Sequence, residues 1–206
     1  MIESPKEQSW IIGEHPSQLF QIHSPKTNIA VYKRDISSLY DKEIKTLEHQ
    51  FSSIEISGDF ITIEETFRKK FEDYVDFKED VIELLHLFRE ITYEDNFRLL
   101  LTSVNHNMCT RFHADNNYLR LLCTYNGPGT LWLPNDNVDR IALNSKGSND
   151  QIVIDNTNIR EAQPGSVIIL KGSKYPNNTK PIIHKSPEIK KKGICRLLLR
   201  IDVLTE

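Results

Sequence analysis

Phe97-Arg98-Leu99-Leu100-Leu101-Thr102-Ser103-Val104 is the stretch where the chain changes its period. Before Asn96, apolar residues recur every three or four positions. From Phe97 onward they come in short runs broken by turn residues. The later runs are Tyr118 to Tyr125, Thr130 to Leu133 after the turn Gly127-Pro128-Gly129, Val167 to Leu170 after Gln163-Pro164-Gly165, Pro181 to Lys185, and Ile194 to Leu204. Asn144 to Asp150 reads as a polar loop. Many short strands with turns between them predict a sandwich or jelly roll. The expected fold is α+β: a double-stranded β-helix (jelly roll) over about residues 96–206, built as two facing antiparallel sheets. A helical layer from about residues 1–95 is expected to pack outside it, the whole making one domain over 1–206.

Working back from Asn96, three helices are predicted. Asp35 can cap one that carries Tyr40, Ile44, Leu47 and Phe51 on one face. Thr62 with Glu65, and Asp76 with Glu79, read as capping boxes. They precede the stripes Phe67, Phe71, Tyr74 and Val81, Leu84, Leu85, Phe88. Asn28 to Lys33 is the one strand candidate in this half. His49 and His86 lie on the helices and read as surface or hydrogen-bonded core histidines, not ligands.

Composition narrows the function classes. The 206 residues are 38% hydrophobic and 27% charged with a net charge of −3, as in an ordinary globular chain. That balance gives no polyanion-binding signal, so no nucleic-acid partner is expected. Met1-Ile2-Glu3-Ser4-Pro5-Lys6-Glu7 lacks the basic and apolar regions of a signal peptide. No apolar run approaches the ~20 residues that span a membrane. Cys109, Cys123 and Cys195 are odd in number and unsuited to a disulfide framework. A reducing cytoplasm is the expected location.

Two segments can hold a metal. In Arg111-Phe112-His113-Ala114-Asp115, His113 and Asp115 are two residues apart, so on an extended chain both point to one face. They end the strand-like run Cys109 to Phe112. In Pro181-Ile182-Ile183-His184-Lys185, His184 ends an apolar strand, and it is the one histidine after position 113. A buried histidine bonded to a carbonyl is the alternative for it. Two imidazoles and a carboxylate on one face form the facial triad of non-heme Fe(II) oxygenases, with coordination positions left open. Cys109, four residues before His113, stays open as a sulfur ligand that would suit Zn²⁺.

In Ile194-Cys195-Arg196-Leu197-Leu198-Leu199-Arg200-Ile201-Asp202 the odd positions are apolar and the even ones carry Arg196 and Arg200. A guanidinium on a buried strand requires an anion. Its fork suits a carboxylate, such as the distal one of 2-oxoglutarate, or an internal acid such as Asp202. Arg120, five residues after Asp115, is a third candidate. Lys185 and Lys190-Lys191-Lys192 read as a solvated basic loop.

The segment Cys109 to Asp115, with Leu119-Arg120-Leu121-Leu122-Cys123-Thr124-Tyr125-Asn126-Gly127-Pro128-Gly129-Thr130-Leu131-Trp132-Leu133-Pro134, resembles the bacterial family called domain of unknown function 1826. Val138-Asp139-Arg140, Pro164-Gly165-Ser166, His184-Lys185-Ser186-Pro187 and Arg196-Leu197-Leu198-Leu199 extend the likeness, as do Asn28-Ile29-Ala30-Val31 and Arg34. The family pattern implies Glu before the Trp of the Gly-Pro-Gly-Thr block, where this chain has Leu131. More loosely, the order His-x-Asp, Pro-Gly and an apolar strand, His, then Arg is similar to the Fe(II)/2-oxoglutarate oxygenases. That likeness implies Fe(II) and 2-oxoglutarate as cofactors and hydroxylation or demethylation of a small molecule or protein side chain. The family likeness also implies a rival, a non-catalytic protein of zinc homeostasis. A jelly-roll interaction module without metal is the third reading.

Overall fold

The computed structural model describes residues 8–36, 41–176 and 179–204. In chain order the elements are β1 (Trp10–Gly13), a 3-10 helix (Pro16–His23), β2 (Ile29–Tyr32), α1 (Asp41–Gln50), β3 (Ser53–Asp59), α2 (Phe60–Lys70) and α3 (Val75–Thr92). There follow β4 (Asn96–Val104), β5 (Leu119–Asn126), β6 (Leu131–Leu133), α4 (Arg140–Asn144), α5 (Asn149–Ile152), β7 (Arg160–Glu161), β8 (Val167–Lys171), β9 (Ile183–Lys185) and β10 (Arg196–Val203).

The strands form a seven-stranded sheet, β1-β2-β8-β5-β10-β4-β3, and a three-stranded sheet, β7-β6-β9. All pairs are antiparallel except β1 with β2. The architecture is mixed α+β around one large sheet. The two sheets are unequal, and the segment before residue 95 is more than a helical layer, because it supplies β1, β2 and β3 to the large sheet. β3 escaped the sequence reading because its residues alternate in burial with small and charged side chains, which leaves little apolar signal.

The two faces of the large sheet follow strand parity. Leu121, Cys123, Tyr125, Leu197, Leu199 and Ile201 pack with Phe67, Phe77, Val81, Leu85 and Phe88 of the helices. On the opposite face Leu122, Leu198, Ile168, Leu170 and Val31 pack with Trp132 and Ile182. A third apolar cluster, Phe112, Leu133, Val138, Ile152, Val153 and Ile183, lies under α4 and α5.

Several boundaries move for local reasons. The cap of α2 lies three residues before Thr62, because Asp59 accepts the Thr62 N–H at 2.7 Å, and the helix begins at Phe60. Asp76 falls inside the first turn of α3, whose N-cap Tyr74 makes no side-chain cap. Asn144 to Asp150 is not one loop but the end of α4, a turn and the start of α5. Tyr40 and the His49 side chain lie outside the described residues. His86 is half-exposed, 3.3 Å from Glu64, as a surface histidine should be. No helix among the described residues is long and apolar enough to cross a membrane.

Candidate metal centre

His113 is not at the end of a strand. Cys109 to Phe112 runs as irregular backbone, and side chains beyond the sheet hold it. Arg111 donates to the carbonyls of Gly147 and Leu143, both at 2.9 Å, and so binds the turn after α4. Asn149 accepts the Phe112 N–H at 2.9 Å and donates to the Thr110 carbonyl at 2.8 Å. His113 then makes an antiparallel bridge to His184, with N–H to O=C distances of 3.0 Å each way. On its other side His184 pairs in register with Trp132. The two imidazoles are therefore neighbours across one bridge, their ring centroids 4.8 Å apart.

Asp115 completes the set. Nε2 of His113 lies 3.5 Å from its Oδ1, and Nε2 of His184 lies 3.3 Å from its Oδ2. One ligand atom from each residue falls within 4.8 Å of the others, and Cys109 is not a member of the group. Nδ1 of His113 lies 2.9 Å from the Arg111 carbonyl. Donating there fixes the tautomer that leaves Nε2 free for a metal. Burial alone would raise the Asp115 carboxyl, but hydrogen bonds from both histidines and the charges of His184 and Arg120 hold it well below the usual carboxylate range. The donor set, two imidazole nitrogens and an ionised carboxylate, fits a divalent metal with positions to spare.

These side chains line a cavity of about 220 Å³ together with Leu122, Thr130, Arg196, Leu198 and Arg200. The even positions of β10 and β5 build its floor, because Leu198 pairs with Thr124, Arg200 with Leu122 and Asp202 with Arg120. The three arginines differ in what they hold. Arg120 forks onto Asp202 (2.5 and 3.1 Å) and also binds Asp115. Arg200 lies 3.1 Å from Asp202 and 3.9 Å from Glu55. Arg196 is 1% exposed and has no carboxylate within ion-pairing distance among the described residues, the charge of Glu161 reaching it only from farther off. Its Nη2 donates to the hydroxyls of Thr124 and Thr130, both at 2.9 Å, while its Nε finds no partner. Burial lowers its pKa to about 10.

Thr124 and Thr130 were missed in the sequence. Thr124 shares the even face of β5 with Arg120, which is a signal parity could have supplied. Thr130 is delivered by the Gly127-Pro128-Gly129 turn. There Gly127 has φ +81°, and a Cβ on Gly129 would meet the Ala162 carbonyl at 1.6 Å, so only glycine fits. Leu131 takes no polar role; it packs against the cluster under α4 and α5.

The chain matches the family described as "Protein of unknown function (DUF1826)" over residues 13–202. The chain belongs to the DUF1826 family. No curated protein matches it. Among solved structures, this DUF1826 chain is similar to AtDAO1, a dioxygenase for auxin oxidation from Arabidopsis thaliana, in a complex with 2-oxoglutarate. That likeness has 11% identity and a TM-score of 0.53, covering 97% of this chain and 93% of that one. A prolyl-4-hydroxylase from Pseudomonas putida matches with 8% identity and a TM-score of 0.48, covering 93% and 98%. The first likeness shows that the DUF1826 chain shares the overall fold of a dioxygenase.

Proposed function

We propose that this protein is an Fe(II)/2-oxoglutarate-dependent oxygenase. His113, Asp115 and His184 would hold the metal, and Arg196 would hold the distal carboxylate of 2-oxoglutarate. The observation that carries the reading is Arg196: a buried guanidinium with a partnerless Nε, in the same cavity as the three ligands. A buried charge without a counter-ion is costly, and a dianionic co-substrate would supply one. The two threonine hydroxyls hold one edge of the guanidinium, so the rest of the fork stays free for a carboxylate. Arg120 and Arg200 suit a different task, since both are engaged by internal acids; Arg120 would orient Asp115. The two sheets are read as the larger and smaller walls of a double-stranded β-helix, a reading that the likeness to AtDAO1 supports.

Fe(II) in such a site supplies the dioxygen chemistry that couples decarboxylation of 2-oxoglutarate to oxidation of a second substrate. The protein's own part is orientation. The bridge between His113 and His184 fixes the spacing of the imidazoles, the Arg111 carbonyl fixes one tautomer, and Leu122 and Leu198 form the apolar part of the cavity floor between the arginines. The three-residue ligand set, without Cys109, leaves coordination open, as catalysis needs and a closed structural zinc site does not.

Calorimetric titration of 2-oxoglutarate into the anaerobic, metal-loaded protein tests this. Wild type should bind. Arg196→Ala should lose about 1.5–3 kcal/mol of that affinity while keeping its metal, since one charged bidentate partner is removed. Arg196→Lys should rescue in part. Equal binding in wild type and Arg196→Ala would remove the co-substrate role.

A further inference from the structure

The space between the sheets holds a second cavity, about 290 Å³, to which the reading above gives no role. The candidate metal centre lies over β5 and β10, in the middle of the large sheet. The second cavity lies instead under β1 and β2 at its edge, facing β6 and β7. Ile12, Val31 and Trp132 form its apolar wall, and Lys33, Arg160 and Glu161 bring charge to it. Trp132 also packs with Leu122 and Leu198, which line the metal-centre cavity, so its ring belongs to the wall between the two.

Charge and stacking together point to an anion. The Arg160 guanidinium carbon lies 4.5 Å from the Trp10 ring centroid and 5.6 Å from that of Trp132. Cation–π contacts of this kind hold the guanidinium against the two rings and use none of its N–H groups as hydrogen-bond donors. The Arg160 Nε is buried and bonds to nothing among the described residues. Neither Arg160 nor Lys33 has a carboxylate within ion-pairing distance among those residues. Glu161 is the lone acid of the lining, and one of its oxygens already accepts the Gly129 N–H at 3.1 Å. The cavity thus offers two unpaired cations against one partly engaged anion, beside an apolar and aromatic wall. Its volume sits at the lower end of ligand pockets, about 300–1,000 Å³, so the ligand is small.

We propose that this cavity is a binding site for a small aromatic carboxylate, held by Arg160 and Lys33 and separate from the candidate metal centre. The apolar wall takes the ring, and the two cations take the carboxylate. The proposal does not depend on the metal or on 2-oxoglutarate.

The chain has two tryptophans, and both flank Arg160. Indole emission and the two indole N–H proton resonances therefore report on this cavity. Benzoate, titrated into the full chain stripped of metal with EDTA, should shift both signals saturably. Benzyl alcohol, which has the ring without the charge, should not, and cyclohexanecarboxylate should bind more weakly than benzoate. Arg160→Gln should weaken benzoate at least tenfold and Lys33→Gln about threefold. Lys33 is exposed, so the second variant keeps the test valid if the first unfolds. Arg196→Ala should leave benzoate binding unchanged; its loss there would place the probe in the metal-centre cavity and overturn the proposal. Indole signals that stay still, or drift linearly and alike with benzoate and benzyl alcohol, would also overturn it.

Discussion

The two faces of the seven-stranded sheet treat a buried arginine in opposite ways. On the helix-covered face, Arg34 places both terminal nitrogens on the Asp80 carboxylate, and its Nε donates to the Gly165 carbonyl at 2.8 Å. Asp80 also accepts the Tyr125 hydroxyl at 2.5 Å. Every charge there is closed by a partner in the protein. On the opposite face Arg196 is at least as buried, yet it meets two hydroxyls and no acid. Burial alone does not distinguish a structural arginine from one that serves a ligand. Charge balance does, because an internal pair completes itself and an unmatched cation requires an anion from outside.

The comparison breaks most readily at Asp80. Asp80→Ala leaves Arg34 buried without its counter-ion and should destabilise the fold by about 3–5 kcal/mol, read by urea unfolding. A cost below 1 kcal/mol would mean that the pair is solvated and the contrast with Arg196 false. Arg120→Gln, at the boundary between the two kinds of arginine, should weaken metal binding about 10- to 100-fold by freeing the Asp115 carboxylate, and should also lower stability, because Asp115 and Asp202 both lose a charged partner. Binding of Co²⁺ followed by its visible absorption would read this, and an unchanged spectrum and affinity would reduce Arg120 to a structural role.

Acidification sharpens the contrast by a smaller step. The hydrogen bond to Asp115 raises the His113 pKa against the opposing effect of burial. A protonated imidazole cannot ligate, so metal affinity should be full at pH 8 and fall as the pH drops through that raised value. The loss should begin above the ordinary histidine pKa of about 6.5 and approach about tenfold per pH unit. Flat affinity between pH 8 and 6 would exclude His113 as a ligand. The smallest effect is expected at Arg196 in the free protein. Arg196→Met removes an unmatched buried charge and should stabilise the ligand-free fold by about 1 kcal/mol, the reverse of Asp80→Ala. A destabilised Arg196→Met would show that the threonine contacts, not a missing anion, account for the arginine.

Much of this was legible in the chain because period-2 and period-3.6 patterns survive in the residues themselves. The change of period at Phe97 located β4, and the alternation from Ile194 located β10 and assigned its apolar and arginine-bearing faces. The helices were legible too, though their starts were not: Asp59 competes with Thr62 for the same cap, and a hydrogen bond, not composition, decides between them. The His113-Ala114-Asp115 spacing and the late His184 named three residues that the fold brings together. It did so for a reason the spacing did not contain, since the segment before His113 is no strand and is held by Arg111, Asn149 and a single bridge.

What the sequence determined by itself, then, was local: element type, strand parity and the residue types able to ligate a metal or an anion, all of which depend on neighbours a few positions away. What only the tertiary structure decided was which charges meet. The order of residues offers Asp202, two places from Arg200 on the same face, as a partner, but nothing in it says that Asp202 also pairs with Arg120, that Asp80 closes Arg34, or that Arg196 is left with two threonines. Those outcomes depend on strand register and on segments 46 to 82 residues apart, and Coulomb interactions act on distance in space rather than distance along the chain.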